Sequence, residues 1–250
     1  MTEGQIYIAL CVTSVVVCMT DAFLLLCMRR FLKEMERRLY RPERYISARI
    51  TLGLAFLIIA LMTGGLLFKG VAGPAEKFFS IGSLVISSSQ ALLFTIATLA
   101  LLNSRFVRGI PILLNVIPIL LFAAAYLIFI EHEVVCRVMS YCFFTFYVVQ
   151  LILYTVVFAR ERNEYIHKLK VNCTAEEFEK CRNGGVTWIF VSALLVGILA
   201  LTSYFFTEYW QRSLFVFIYT VFYTVVTVYF LRYAGKSSEI EDITADDRDF

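Results

Sequence analysis

Polar side chains recur inside the most apolar stretches of this sequence, where they could do chemistry that their neighbours cannot. The stretch SLFVFIYTVFYTVVTVYFLRY, residues 213–233, carries threonines at i, i+4 and i+7, which places three hydroxyls on one helical face. Such groups can line a cavity for a small ligand or bond neighbouring helices to each other, and the sequence alone favours helix packing. The candidate residues for an intramembrane polar site are Asp21, Gln90, Asn115, Gln150, Tyr219, Thr220, Tyr223, Thr224 and Thr227.

Asp21 is the one acidic residue that lies well inside an apolar stretch. A carboxylate is costly to place in lipid, so we expect its side chain to face the interior of a helical bundle, a partner or water. It could form a proton or cation site, or it could be a protonated, hydrogen-bonded packing residue. The sequence leaves both interpretations open.

The residues that enzymes commonly use are scarce. His132 and His167 are the only histidines, and no HExxH, GxSxG, P-loop or GxGxxG pattern occurs. Glu131, His132, Glu133 and Cys136 have the side-chain types that hold a transition metal, but the two glutamates do not share a helical face. A solvated acidic loop is the better interpretation, so we predict a non-enzymatic protein with no cofactor and no metal.

The elements that position these residues are long apolar stretches. Hydrophobic residues make up 60% of the chain and charged residues 17%, and the mean hydropathy is +0.75. Stretches of about twenty apolar residues are long enough to span a bilayer as helices. They predict seven spans, at about Gln5–Met28, Ile50–Phe68, Phe79–Leu102, Pro111–Ile130, Val138–Ala159, Val186–Phe205 and Ser213–Leu231.

The positions of lysine and arginine predict how the spans are oriented. The segments after spans one, three and five, together with the C-terminal tail, hold 19 of the 23 lysines and arginines. Basic residues are enriched on the cytoplasmic side of a membrane. We therefore predict an all-α polytopic membrane protein with the N-terminus outside, the C-terminus in the cytoplasm and a bacterial inner membrane as its location.

The predicted domain organisation is one membrane domain and a tail. A seven-helix domain at 1–232 has cytoplasmic loops at about 29–49, 103–110 and 160–185, and an acidic tail at 233–250 is expected to be disordered. In the third loop, Thr174 and Glu177 have the spacing of a capping box that opens a short helix.

The first loop is strongly basic and is expected to lie at the inner leaflet, either as a topology anchor or as a contact for anionic lipid. The residues expected to make this contact are Arg29, Arg30, Lys33, Arg37, Arg38 and Arg41.

Two familiar seven-helix classes do not fit. A retinal protein needs a lysine in its last span, and no span has a lysine in its interior. A eukaryotic G-protein-coupled receptor usually ends span three with an acid-Arg-Tyr triplet and carries Asn-Pro-x-x-Tyr in span seven. Here span three ends LLNSRF, and span seven contains no proline.

A third class matches better at the C-terminal end. Span six opens near an aromatic residue, Trp188, and has a Gly/Ala-rich middle that contains Gly197. Span seven has a Phe-Tyr-Thr core at 222–224 and ends in Arg-Tyr at 232–233. In these features Val186–Gly235 resembles the membrane sensor region of Bacteroidetes membrane-anchored regulators. The resemblance implies a multi-helix sensor and anchor with a cytoplasmic AraC-type helix-turn-helix or kinase output, which this sequence does not contain.

Three functions are compatible with the sequence. The first is a sensor or signal-transducing module, the membrane portion of a transcriptional or kinase-type regulator. The second is a small-solute or ion-coupled transporter with a three-plus-one-plus-three helix plan, and the third is a structural membrane anchor. The expected partners are the lipid bilayer, anionic lipid at the inner leaflet, a cytoplasmic output domain or protein, and a second copy in a homodimer. We expect no direct contact between this chain and nucleic acid.

Overall fold

The chain is built from helices. The computed structural model describes residues 2–27, 43–68, 77–103, 109–129, 132–182 and 184–245. Within these ranges it contains eight α-helices and no β-strand. The helices are α1 (Glu3–Cys27), α2 (Glu43–Phe68), α3 (Lys77–Leu102), α4 (Gly109–Ile128), α5 (Glu133–Asn172), α6 (Ala175–Cys181), α7 (Gly184–Ser203) and α8 (Tyr209–Ala245).

The long helices pack around α3. α1 packs against α2 and α8, and α8 also packs against α7. α3 contacts α2, α4, α5 and α7, and its apolar stretch is the most deeply buried of the candidate spans. The rings of Phe56 of α2, Phe94 of α3 and Tyr223 of α8 have centroids 5.4–5.7 Å apart. This aromatic cluster joins α2, α3 and α8.

The apolar helices identify an α-helical integral membrane protein. In the described part of the chain, α1, α2, α3, α5, α7 and α8 are long and apolar enough to cross a membrane, and α4 contains a shorter apolar stretch, Asn115–Ala125. Large outward-facing side chains such as Phe23, Leu61 and Leu121 are 66%, 63% and 64% exposed. A soluble protein rarely exposes so much contiguous apolar surface, whereas lipid solvates it well.

α5 is much longer than span five was expected to be. It continues past Ala159 to Asn172, so the first half of the segment predicted as a loop is helical. An ion pair between Glu164 and Lys168, one turn apart at 3.6 Å, supports this polar part of the helix. The side chain of Leu169 is fully buried on its inner face. The change from apolar to polar residues after Ala159 therefore marks where α5 meets the edge of the membrane, and the helix itself ends later.

α8 differs from the prediction in the same way. The segment expected to be a disordered tail from residue 233 is helical as far as Ala245. Its side chains at Tyr233, Ala234, Ser237 and Ile240 recur on one face, and all four are buried. That face packs beside α6, which contacts both α5 and α8.

The predicted capping box at the start of α6 is confirmed. The Thr174 hydroxyl accepts a hydrogen bond from the Glu177 amide at 3.4 Å, and the Glu177 carboxylate accepts one from the Thr174 amide at 2.9 Å. α6 then lies back against α5, where the Tyr165 hydroxyl donates to the Cys181 carbonyl at 2.9 Å. The ends of α5 and α8 and the short α6 thus form a small cluster at one end of the bundle.

Candidate functional site

A cavity opens at the end of the bundle where α1 begins. The space not filled by protein atoms is about 650 Å³, part of which is continuous with the outside. α1, α3 and α8 line it with residues from their first halves, and α2 and α7 with residues from their last turns. The lining residues are Tyr7, Cys11, Thr63, Leu67, Ser83, Ile86, Ser87, Gln90, Ser203, Arg212, Phe215, Val216 and Tyr219.

The mouth of the cavity holds an arginine between aromatic side chains. Arg212 is 5% exposed and donates through Nε and Nη2 to the Phe206 carbonyl, at 3.3 and 3.0 Å. Tyr7 and Tyr209 lie beside its guanidinium, and the centroids of their rings are 6.0 Å apart. A cation set in aromatic surroundings suits a ligand with a polar or anionic head and an apolar body.

The floor of the cavity is a buried hydrogen bond between α3 and α8. Gln90, which lines the cavity, donates through Nε2 to the hydroxyl of Tyr223. Tyr223 is fully buried, and its ring stacks on Phe94 at 5.7 Å. Tyr219, one turn earlier on α8, also lines the cavity, and its ring centroid is 5.3 Å from that of Tyr223. Gln90 therefore connects the cavity to α8 through one hydrogen bond.

A second polar network lies outside this cavity and joins α3, α4 and α5. The Ser88 hydroxyl donates to Gln150 Oε1 at 2.5 Å, and Gln150 Nε2 donates to the Ser88 carbonyl at 3.2 Å. Gln150 Nε2 also donates to the Tyr154 hydroxyl at 2.9 Å, which donates to Asn115 Oδ1 at 3.1 Å. These polar groups bond to one another, so the network has the character of helix packing.

Asp21 lies between α1 and α8, away from both groups. Its carboxylate is 5% exposed and sits near the hydroxyl of Thr227, which is 2% exposed. The two groups face each other, but among the described residues neither Asp21 Oδ2 nor Thr227 Oγ1 makes a hydrogen bond of ordinary geometry. Buried polar groups are normally bonded, so this pair is energetically unusual.

The polar residues predicted from the sequence do not share one cavity. Gln90 and Tyr219 line the cavity, and Tyr223 lies directly behind Gln90. Thr220 and Thr224 bond back to carbonyls of their own helix, at 2.7 and 3.2 Å. The remaining members are those of the α3–α4–α5 network and the Asp21–Thr227 pair. The assignment of the predicted polar residues as one ligand site stays a prediction.

Several lining residues were not predicted from the sequence, above all Tyr7 and Arg212. Arg212 was assigned to a loop, but it lies in the first turn of α8 and is buried. One signal could have identified it, because Arg212, Val216, Tyr219 and Tyr223 follow a helical period. The six basic residues predicted to contact the inner leaflet lie outside the described residues.

Comparison with known proteins adds no assignment. The chain matches no protein-family model, and no characterised protein or solved structure is significantly similar to it.

Proposed function

We propose that this protein is a non-enzymatic membrane receptor that binds a small ligand at its N-terminal side and passes the signal to its C-terminal side. On this proposal α4 crosses the membrane as well, which gives seven spans. The N-terminus is then outside and the C-terminus in the cytoplasm, as the lysine and arginine distribution favours. α4 has 20 residues, a length of about 30 Å that matches the apolar core of a bilayer.

The observation that carries this proposal is the double role of Gln90. It lines the cavity and bonds to Tyr223, and Tyr223 belongs to a helix that runs on to the opposite end of the bundle. A ligand that competes for the Gln90 amide weakens one link between α3 and α8. Single hydrogen bonds between membrane helices contribute about 0.6 kcal/mol, so such a link can be exchanged without unfolding the bundle.

On this proposal the signal reaches the cluster formed by the ends of α5 and α8 and the short α6. This cluster offers a compact surface to a cytoplasmic output domain or partner. The likeness of Val186–Gly235 to membrane-anchored regulators of transcription supports an output of that kind.

Binding tests this proposal first. The protein in lipid nanodiscs is screened with a panel of small amphiphilic acids and alcohols by thermal shift. We expect hits to bind at least about tenfold more weakly to Gln90→Leu, which removes a hydrogen-bonding group from the cavity. Gln150→Leu is the matched control, a buried glutamine outside the cavity, and its ligand affinity should equal that of the wild type.

Signal transfer is then measured by the distance between spin labels at the exposed positions Lys170 on α5 and Lys236 on α8. A bound hit should shift this distance in the wild type and not in Tyr223→Phe. Ligand binding without any shift would overturn the receptor assignment.

A transporter remains the second candidate, because one observation favours it. The orphaned oxygens of Asp21 and Thr227 lie inside the bundle, where transporters hold protons or cations. The receptor is preferred because neither residue lines the cavity.

A further inference from the structure

The buried face of α1 is polar, although α1 is one of the candidate membrane spans. Between residues 7 and 21, every buried side chain of this helix carries a hydroxyl, a thiol or a carboxyl group. These residues, the polar row of α1, are Tyr7, Cys11, Ser14, Cys18 and Asp21. Their spacing of three or four residues keeps them on one side of the helix, while apolar side chains face outward. The row therefore brings exchangeable protons into the bundle at every turn of α1.

The polar row begins in the cavity. Tyr7 and Cys11 both line the cavity, and the Tyr7 hydroxyl and the Cys11 thiol lie in hydrogen-bonding contact. Tyr219 of α8 lines the same cavity beside Cys11, and its hydroxyl reaches the hydroxyl of Ser14. Since part of the cavity is continuous with the outside, protons from the medium meet the row at this end.

The polar row then continues to Asp21. The Cys18 thiol lies within hydrogen-bonding reach of Ser14 and beside the Asp21 carboxylate. Tyr7 and Asp21 are about 21 Å apart along the axis of α1, since each residue adds about 1.5 Å to a helix. Hydroxyl and thiol groups can each donate and accept a hydrogen bond, so neighbours in such a row can pass a proton from one to the next.

The helix α2 also packs against α1 but brings no charge to the level of the carboxylate. Gly53 packs against Leu26, and Gly64 lies near Val15, so residues 54–63 of α2 run opposite this part of α1. That segment contains no titratable or charged side chain.

The other groups near Asp21 leave its charge uncompensated. Thr227 of α8 is the side chain that contacts the carboxylate, and the nearest titratable groups are Cys18 of α1 and Tyr223 of α8. Arg49 of α2 lies one turn farther from the cavity than Gly53. Among the described residues no cation acts on Asp21, so binding a proton is the simplest way to neutralise it.

We propose that Asp21 is a proton-binding site that exchanges protons with the cavity through the polar row of α1. In each step a hydroxyl or thiol accepts a proton on a lone pair and releases its own proton to the next group. The net change is the transfer of one proton from water to an oxygen of Asp21, which forms an O–H bond and loses its negative charge. No ligand in the cavity is needed for this exchange.

The experiment follows the protonation of Asp21 in the full chain. The protein is reconstituted in oriented liposomes with its N-terminal side outward, and the outer pH is lowered rapidly from mildly alkaline to mildly acidic. Time-resolved infrared spectra record the carbonyl stretch of a protonated carboxyl group. We expect this band to appear in the wild type and to be absent from Asp21→Asn.

A variant within the row tests the path. We expect Ser14→Ala to slow the appearance of the band at least about tenfold, because it removes one proton-passing group. The final height of the band should equal that of the wild type, which shows that the variant folds. Ser14→Thr keeps a hydroxyl and should restore the rate.

Thr13→Ala is the matched control. Thr13 is the neighbour of Ser14 on α1, but its side chain is exposed and donates to the Ala9 carbonyl at 2.8 Å. This variant should keep the wild-type rate.

Two kinds of result would overturn the proposal. Absence of a band that depends on Asp21 removes the proton site. Equal rates in Ser14→Ala and Thr13→Ala, or a band that responds only to the pH on the C-terminal side, removes the path from the cavity. Because no ligand is present, these outcomes do not depend on the receptor proposal.

Discussion

Threonines that share one face of α8 make different hydrogen bonds. Thr220 and Thr224 donate to carbonyls of their own helix, whereas the Thr227 hydroxyl lies beside Asp21 and, among the described residues, makes no hydrogen bond of ordinary geometry. The sequence alone does not distinguish the three hydroxyls. They differ in the structure because α1 places Asp21 beside Thr227. Helical spacing thus predicts which face a residue occupies but not which atom it meets.

Replacing Asp21 tests whether the charge of its carboxylate beside Thr227 lowers the stability of the protein. We expect Asp21→Asn to raise the free energy of unfolding at neutral pH by about 1–3 kcal/mol, because asparagine fits the same space without an uncompensated charge. Equilibrium unfolding in detergent micelles measures the change. Glu208→Gln, at an exposed position, is the control and should stay within about 0.5 kcal/mol of the wild type.

A fall in stability of Asp21→Asn would show instead that the native protein uses the charge, as a cation site requires. Solute uptake into vesicles by the wild type and not by this variant would then favour the transporter over the receptor.

At the scale of the element, the close approach of α7 and α8 depends on one glycine. A methyl group at Gly185 would lie under 3.0 Å from ring carbons and the hydroxyl oxygen of Tyr229, whereas one at Gly184 would meet nothing within 4 Å. The Tyr229 ring occupies the space that a side chain at Gly185 would need. Two adjacent glycines therefore have different roles.

We expect Gly185→Ala to lower the free energy of unfolding by about 1–3 kcal/mol, because it forces Tyr229 out of its place. Gly184→Ala should cause no loss. Thermal unfolding of both variants measures this difference. The loss at Gly185 should largely disappear in a Tyr229→Ala background, and its persistence there would contradict the packing explanation.

The sequence predicted the apolar core of each long helix but not where α5 and α8 end. Both continue into polar segments such as Arg160–Asn172, where ion pairs one turn apart and burial against α6 replace apolarity as the support. The contact of α8 with α6 joins segments that are far apart in the chain, so the hydropathy of the sequence does not predict it. The capping box at Thr174 was predictable because it is local.

The cavity was predicted least well, since it takes residues from five helices. Gln90 was identified as a polar residue in an apolar span, but Arg212 was missed because it looks like a loop residue beside the end of a span. Which polar residues share a cavity depends on which helices pack against one another. That arrangement follows from tertiary packing alone.

At the scale of the whole molecule, the start of α1 and the end of α8 lie at opposite ends of the bundle. Tyr7 and Tyr209 place the starts of α1 and α8 together, and α8 then runs away from that end. With seven crossings, a tag at the N-terminus should be cleaved by protease added to intact cells, and a tag at the C-terminus should be protected until the membrane is permeabilised. Equal protection of both tags would contradict a crossing by α4.

The length of α5 has a mechanical consequence. Residues 160–172 continue α5 about 20 Å beyond its apolar part, so any tilt of the helix is enlarged at this end. A tilt of about 10° around the membrane midplane displaces the tip by about 6 Å, roughly one helical turn. On the receptor proposal, a small tilt of α5 within the bundle would become a displacement of this size at the surface offered to a cytoplasmic partner.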